Sequence, residues 1–162
     1  MVFGTKMMLT KFYNHNDYKN KYKACGVLFC KEIETKIYYL FVLEKRNNKN
    51  EMHIIGGKRE DKEYPLLTAS REMWEETNNL IDKIDCLQKI CASYCKKYWY
   101  NKGKYILYVT KIDEKYYNIH NNYNMLVWMS YDDIKNNITT SYEQNDIIYN
   151  ISELSKIIIN NI

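Results

Sequence analysis

Proline is nearly missing from this chain, at one residue in 162, and glycine is scarce at five. That excludes a collagen-like repeat and long Pro/Gly linkers. No apolar run approaches the ~18 residues a membrane helix requires, so no membrane partner is expected. The opening MVFGTKMMLTKFYNHNDY lacks the apolar core of a signal peptide. Five cysteines stand at irregular spacing: Cys25, Cys30, Cys86, Cys91 and Cys95. Cys91 and Cys95 have no nearby histidine or second cysteine pair to complete a zinc set. An odd count without an export signal reads as reduced thiols and a cytoplasmic location. A strong excess of one charge is also missing. The net charge of +4 mildly favours an anionic partner and does not supply the basic stripe of a dedicated nucleic-acid binder.

What is present is enough for a packed core. The chain is 46% hydrophobic and 27% charged, which suits one soluble domain over residues 1–162. Its richness in Asn, Lys, Ile and Tyr reads as the usage of an AT-rich coding sequence. An early strand is expected around Met7–Tyr13, then strands at Lys23–Cys30 and Lys36–Leu43 joined by a turn at Lys31–Thr35. Arg46–Asn50 reads as a solvated loop, and Met52–Ile55 as a short strand running into Gly56-Gly57. Pro65 suits a first helical turn, and Leu66, Ala69, Met73 and Leu80 form one apolar stripe. Asn78 and Asn79 would end that helix, because Asn tolerates a left-handed cap. Ile84–Tyr98 and Tyr105–Ile112 are expected to form a hairpin turned at Asn101-Lys102-Gly103. A strand follows at Met125–Met129 and a short helix at Tyr131–Ile138. Ile147, Ile148, Ile151, Leu154, Ile157 and Ile158 predict an amphipathic helix over Glu143–Ile159, packed on the sheet or on a partner. Alternating strands and helices give a mixed α/β class.

The chemistry concentrates in GKREDKEYPLLTASREMWEETNN, residues 57–79. Glu72, Glu75 and Glu76 fall at i, i+3 and i+4, so on a helix their carboxylates converge on one face. A hard divalent cation would relieve their repulsion; Mg²⁺ takes oxygen ligands near 2.1 Å. Taken alone, the same three residues also fit a solvated acidic face.

The spacing around them decides otherwise. Gly57, then five residues, Glu63, then seven residues, Arg71-Glu72-Met73-Trp74-Glu75-Glu76 resembles the signature of the Nudix hydrolases. Six of its seven fixed positions are present, and Asn78 replaces the late glycine. With average residue usage, a chance match is on the order of 10⁻⁶ per start position. His53–Lys58 (HIIGGK) and Trp128-Met129-Ser130-Tyr131-Asp132-Asp133 are similar to the family's flanking segments.

The resemblance implies a Nudix-type α/β/α sandwich, a mixed central sheet flanked by helices. It implies hydrolysis, with Mg²⁺ or Mn²⁺, of a diphosphate joined to another moiety in a small-molecule nucleotide derivative. Glu75, Glu76, Glu72 and the Gly56 carbonyl match metal ligands, and Glu72 in some members is also the base. Arg71 matches a residue that orients a glutamate, Glu63 a supporting carboxylate, and Lys58 a residue near the leaving phosphate. Asp113, Glu114 and the loop residue His120 are candidates for an additional base or ligand. Tyr98 and Trp99, near a hairpin turn, are candidates for stacking on a base, with core packing as the alternative. Two further readings stay open. The Gly-Gly-Lys-Arg-Glu run is similar to cap-cleaving Nudix enzymes of large DNA viruses, which would make an RNA 5′ end the substrate. A non-catalytic module that binds nucleotide or RNA is the other.

Overall fold

The structure is a computed structural model that describes residues 9–11, 15–119, 125–136 and 139–162. Three strands form a meander: β2 (Ala24–Ile33), β3 (Lys36–Arg46) and β4 (Lys49–Lys58). Each join is a two-residue turn, at Glu34-Thr35 and Asn47-Asn48, and all four turn residues have positive φ, from 47° to 70°. Both central residues left-handed is the type I′ geometry, whose twist matches that of the flanking strands.

Beyond them lie β1 (Leu9–Lys11), β5 (Lys96–Tyr100), β6 (Tyr105–Lys111), β7 (Leu126–Ser130), β8 (Ser141–Gln144) and β9 (Ile147–Ile151). The sheet order is β1-β5-β6-β2-β3-β4-β9-β8, with β7 on the other side of β3. β6 runs parallel to β2, and β9 parallel to β4; the other pairings are antiparallel. The meander forks. The end of β2 pairs with β3, whereas its start pairs with the end of β4, from Ala24↔Lys58 to Val27↔Ile55. Gly26 and Gly56 are partners in that crossing. A Cβ on Gly26 would overlap the Tyr105 hydroxyl, and one on Gly56 would overlap the Cys25 carbonyl. The fork therefore exists because neither residue has a side chain.

Helices α1 (Pro65–Glu76) and α2 (Lys83–Cys91) cover one face; α3 (Tyr131–Lys135) and α4 (Glu153–Asn161) cover the other. Strand alternation sends Val27, Phe29, Leu40, Val42 and Ile55 to meet Ala69, Met73 and Ile90 on the first face. Leu28, Phe41, Leu43 and Met52 meet Ile134, Ile158 and Ile159 on the second. This is the mixed sheet between helical layers that the sequence implies.

α1 begins with Pro65 at its first position. It ends in a Schellman arrangement: Asn78 N–H donates to Glu75 O at 3.0 Å and Asn79 N–H to Trp74 O at 2.7 Å. Both asparagines are left-handed, with φ 53° and 65°. Leu80 packs against the α1-side core, and Ile81 is fully inside it.

Two expected elements are corrected. Residues 84–91 are helical, because the Asp82 carboxylate accepts from Ile84 N–H and Asp85 N–H and starts α2; the strand is only Lys96–Tyr100. The expected hairpin then forms between β5 and β6. The helix expected over Glu143–Ile159 is instead a hairpin followed by a helix. Asn145 and Asp146, both at positive φ, turn β8 into β9, and Ser152 caps α4 by accepting from Ser155 N–H at 3.2 Å. The early strand is confined, among the described residues, to Leu9–Lys11, and Arg46–Asn50 is a tight turn within two long strands.

Candidate active site

One guanidinium organises the start of the site. Arg71, on α1, donates from Nε to Glu63 Oε1 at 2.7 Å and from Nη2 to Glu63 Oε2 at 3.1 Å. Nη2 also reaches the Lys58 carbonyl at 2.8 Å, while Nη1 reaches Glu72 Oε1 at 2.8 Å and Glu75 Oε2 at 3.1 Å. The fork of an arginine can hold a carboxylate with two bonds and keep donors for others. Glu63 accepts further bonds from Thr68 Oγ1 at 2.7 Å and Glu60 N–H at 2.9 Å. Arg71 above all, with these donors, holds the Glu63 carboxyl down at about 2. Tyr22 closes the loop from below, donating to the Glu63 carbonyl at 2.8 Å and lying 2.9 Å from Thr68 Oγ1.

The helix face and the end of β4 then meet. The Glu72 carboxylate rests on Gly57, where any Cβ would overlap it. Burial pushes the Glu72 carboxyl above its ordinary range, against the pull of Arg71. Glu76, one turn on, accepts from Gly56 N–H at 3.1 Å and from Arg46 Nη2 at 3.3 Å. Burial pushes its carboxyl up to about 8, in spite of that peptide bond and of Arg46.

This geometry coincides with a family match. The NUDIX domain model matches residues 21–150. The chain belongs to the Nudix hydrolase family. No curated protein sequence matches it. Among solved structures, the C. elegans Ap4A hydrolase is similar over 69% of this chain and 82% of that one, at 19% identity and a TM-score of 0.49. A Nudix hydrolase from M. smegmatis, RenU, is similar over 75% of each chain, at 15% identity and a TM-score of 0.46.

The Nudix box glutamates do not converge as the helical spacing alone suggests. Glu72 and Glu75 are drawn to Arg71, and Glu76 is turned to Gly56 and Arg46. Among the described residues, no three acidic, histidine or cysteine side chains are gathered to hold an ion as they stand. The residues nonetheless fit a divalent cation. Their donors are all carboxylate or peptide oxygens, the set Mg²⁺ and Mn²⁺ take. Glu76 is moreover a buried acid whose charge Arg46 and one peptide do not offset, as its raised proton affinity shows.

The other residues of the Nudix reading fall as follows. Lys58 is exposed at the end of β4, and its carbonyl, rather than its ammonium, is tied to Arg71. Gly56 supplies an N–H to Glu76. Asp113 is paired with Lys89 of α2 at 2.6 Å, and Glu114 opens an exposed 3-10 turn; neither contacts a box glutamate. His120 lies outside the described residues. Tyr98 and Trp99 do not form a joint stacking surface. Adjacent strand residues point to opposite faces, so Trp99 is buried against Tyr18, ring centroids 4.7 Å apart, while Tyr98 is buried in the other core.

Residue-by-residue sequence reasoning missed Arg46 and Glu44. Arg46 Nε pairs with Glu44 Oε1, and His53 Nε2 lies 3.8 Å from Glu44 Oε1 and 3.1 Å from Glu51 Oε2. Only the register of β3 on β4, which places Glu44 opposite Glu51, brings them beside Glu76. A two-residue hairpin at Asn47-Asn48 is the signal that would have revealed that register.

Proposed function

We propose that this chain hydrolyses a phosphoanhydride bond in a nucleoside diphosphate linked to another moiety, with Mg²⁺ or Mn²⁺. The observation that carries this reading is Glu76. It is a buried carboxylate of raised proton affinity, held by Gly56 N–H at 3.1 Å beside the Arg71-clamped Glu72. Glu72, Glu75 and Glu76, with the Gly56 peptide, would hold the cation, which supplies charge neutralisation and water activation at the phosphates. Arg71 and Glu63 fix where Glu72 stands. Glu72, whose proton affinity burial raises above the ordinary carboxylate range, is the carboxylate suited to take a proton from the attacking water. Lys58, exposed beside Gly57, is suited to the departing phosphate.

A substrate panel tests this. Release of monophosphate or pyrophosphate is measured with and without Mg²⁺ or Mn²⁺. The panel holds nucleoside triphosphates, dinucleoside polyphosphates, NAD-type dinucleotides, diphosphoinositols and capped RNA. Metal-dependent turnover of at least one nucleotide is expected. Turnover of capped RNA alone would assign the RNA 5′ end instead. No turnover of any of them would leave a binding module.

A further inference from the structure

The β3–β4 hairpin carries a row of charges that the Nudix signature does not contain. On the sheet face covered by α1, Glu44 and Arg46 of β3 stand beside Glu51 and His53 of β4. Arg46 is the join between this row and the box: Nη2 lies 3.3 Å from Glu76 Oε1, and Nε pairs with Glu44. It also lines a cavity of about 220 Å³ that Gly57, Lys58 and Tyr105 share with Leu154 and Ser155 of α4. Its side chain is 44% exposed next to a tight turn, so it can change partner without uncovering the core.

Guanidinium and divalent cation compete for the same oxygens of Glu76. A doubly charged ion about 6 Å from a guanidinium is opposed by roughly tenfold in affinity even in a water-like medium. Salt screening trims that figure. A guanidinium leaving Glu76 is already at the wall of the cavity that Gly57 and Lys58 share. A diphosphate seated beside Gly57 and Lys58 would offer the paired oxygens that an arginine fork fits best.

We propose that Arg46 is an exchange residue: it occupies Glu76 Oε1 while no divalent cation is bound and turns to the phosphate oxygens of the substrate when one is. This rests on the function proposed above. The test uses the full chain and three variants, Arg46→Ala, Arg46→Lys and Glu76→Gln. Mn²⁺ binding is read by electron paramagnetic resonance without substrate. Binding of methylenediphosphonate at saturating Mn²⁺ is read by calorimetry. Arg46→Ala is expected to tighten Mn²⁺ binding about three- to tenfold and to weaken diphosphonate binding about tenfold. Arg46→Lys keeps the charge and loses the fork. It should bind Mn²⁺ within about twofold of the parent and weaken the diphosphonate by a smaller factor than the alanine variant. Unchanged or weaker Mn²⁺ binding in Arg46→Ala, or unchanged diphosphonate binding, overturns the exchange. If Arg46→Ala fails to fold, Mn²⁺ binding more than twofold altered in Arg46→Lys does the same. Mn²⁺ binding undiminished in Glu76→Gln overturns the metal reading itself.

Discussion

Glu76→Gln is expected to make the cation-free protein more stable while cutting its hydrolysis by at least ~10²-fold. Native Glu76 holds its proton up to about 8, whereas an ordinary carboxyl releases it near 4.5. The folded state thus binds a proton that the unfolded state has given up. Stability of the parent therefore falls as pH rises from about 4.5 to about 8, and this contribution is flat outside that window. Each tenfold of proton affinity is worth about 1.4 kcal/mol, which sets a ceiling of about 5 kcal/mol at pH 8. Relaxation and water entry lower such penalties in real sites, so about 1–3 kcal/mol is expected. For a chain of this length that is roughly 3–9 °C in Tm. Glutamine keeps the shape and an acceptor for Gly56 N–H without the charge. The assay is thermal unfolding in EDTA at pH 5 and pH 8. The gap between variant and parent should be small at pH 5 and large at pH 8. Added Mg²⁺ should reverse the order by stabilising the parent alone. A variant no more stable than the parent at pH 8, or a gap equal at both pH values, would refute the reasoning.

Glu63→Gln should flatten the acid limb of the stability curve. The contribution of its pairing with Arg71 is full above about 4.5 and disappears as pH falls toward about 2, and urea unfolding across that range reads it. The loss at neutral pH should be about 1–2 kcal/mol, because the pair sits near the surface. Gly57→Ala should displace the Glu72 carboxylate that any Cβ there would overlap. At least a tenfold fall in kcat with unchanged circular dichroism is expected, and undiminished kcat would dismiss the placement of Glu72. Asn78→Gly should add up to ~1 kcal/mol by relieving a left-handed residue, and Asn78→Ala should remove about as much, both measured by urea midpoint. Asp113→Ala, which breaks only the pair with Lys89, should leave kcat within about twofold of the parent.

Helix α1 was legible because its signals were local. Pro65, the apolar stripe and the asparagine cap each act within a turn or two of backbone. The C-terminal third was misread because isoleucines at 147, 148, 151, 157 and 158, taken with Leu154, satisfy a helical period. Asn145-Asp146, a two-residue turn, and Ser152, a cap, outrank that period by fixing where the chain must reverse and where a helix can begin. At residues 84–91 the expected strand took no account of Asp82, whose cap decides the structure. In the site, Arg71, Glu72, Glu75 and Glu76 were legible from spacing, since α1 sets the relative positions of their backbones. Arg46 and Glu44 were not, because they reach Glu76 through strand register across 30 residues of chain. Nor did the spacing foretell that Arg71 and Arg46 would hold the glutamates apart: like charges on a helix say that a cation is wanted, and not which cation takes the place first.

The crossing of β2 and β4 has an evolutionary corollary. Position 26 lies outside the Nudix box, yet its hydrogen side chain makes room for the Tyr105 hydroxyl from a different strand. A relative with any larger residue at 26 must carry something shorter than tyrosine at 105. These two positions should drift as a linked pair, and divergence at one without the other would mark a chain whose two halves of the sheet no longer meet.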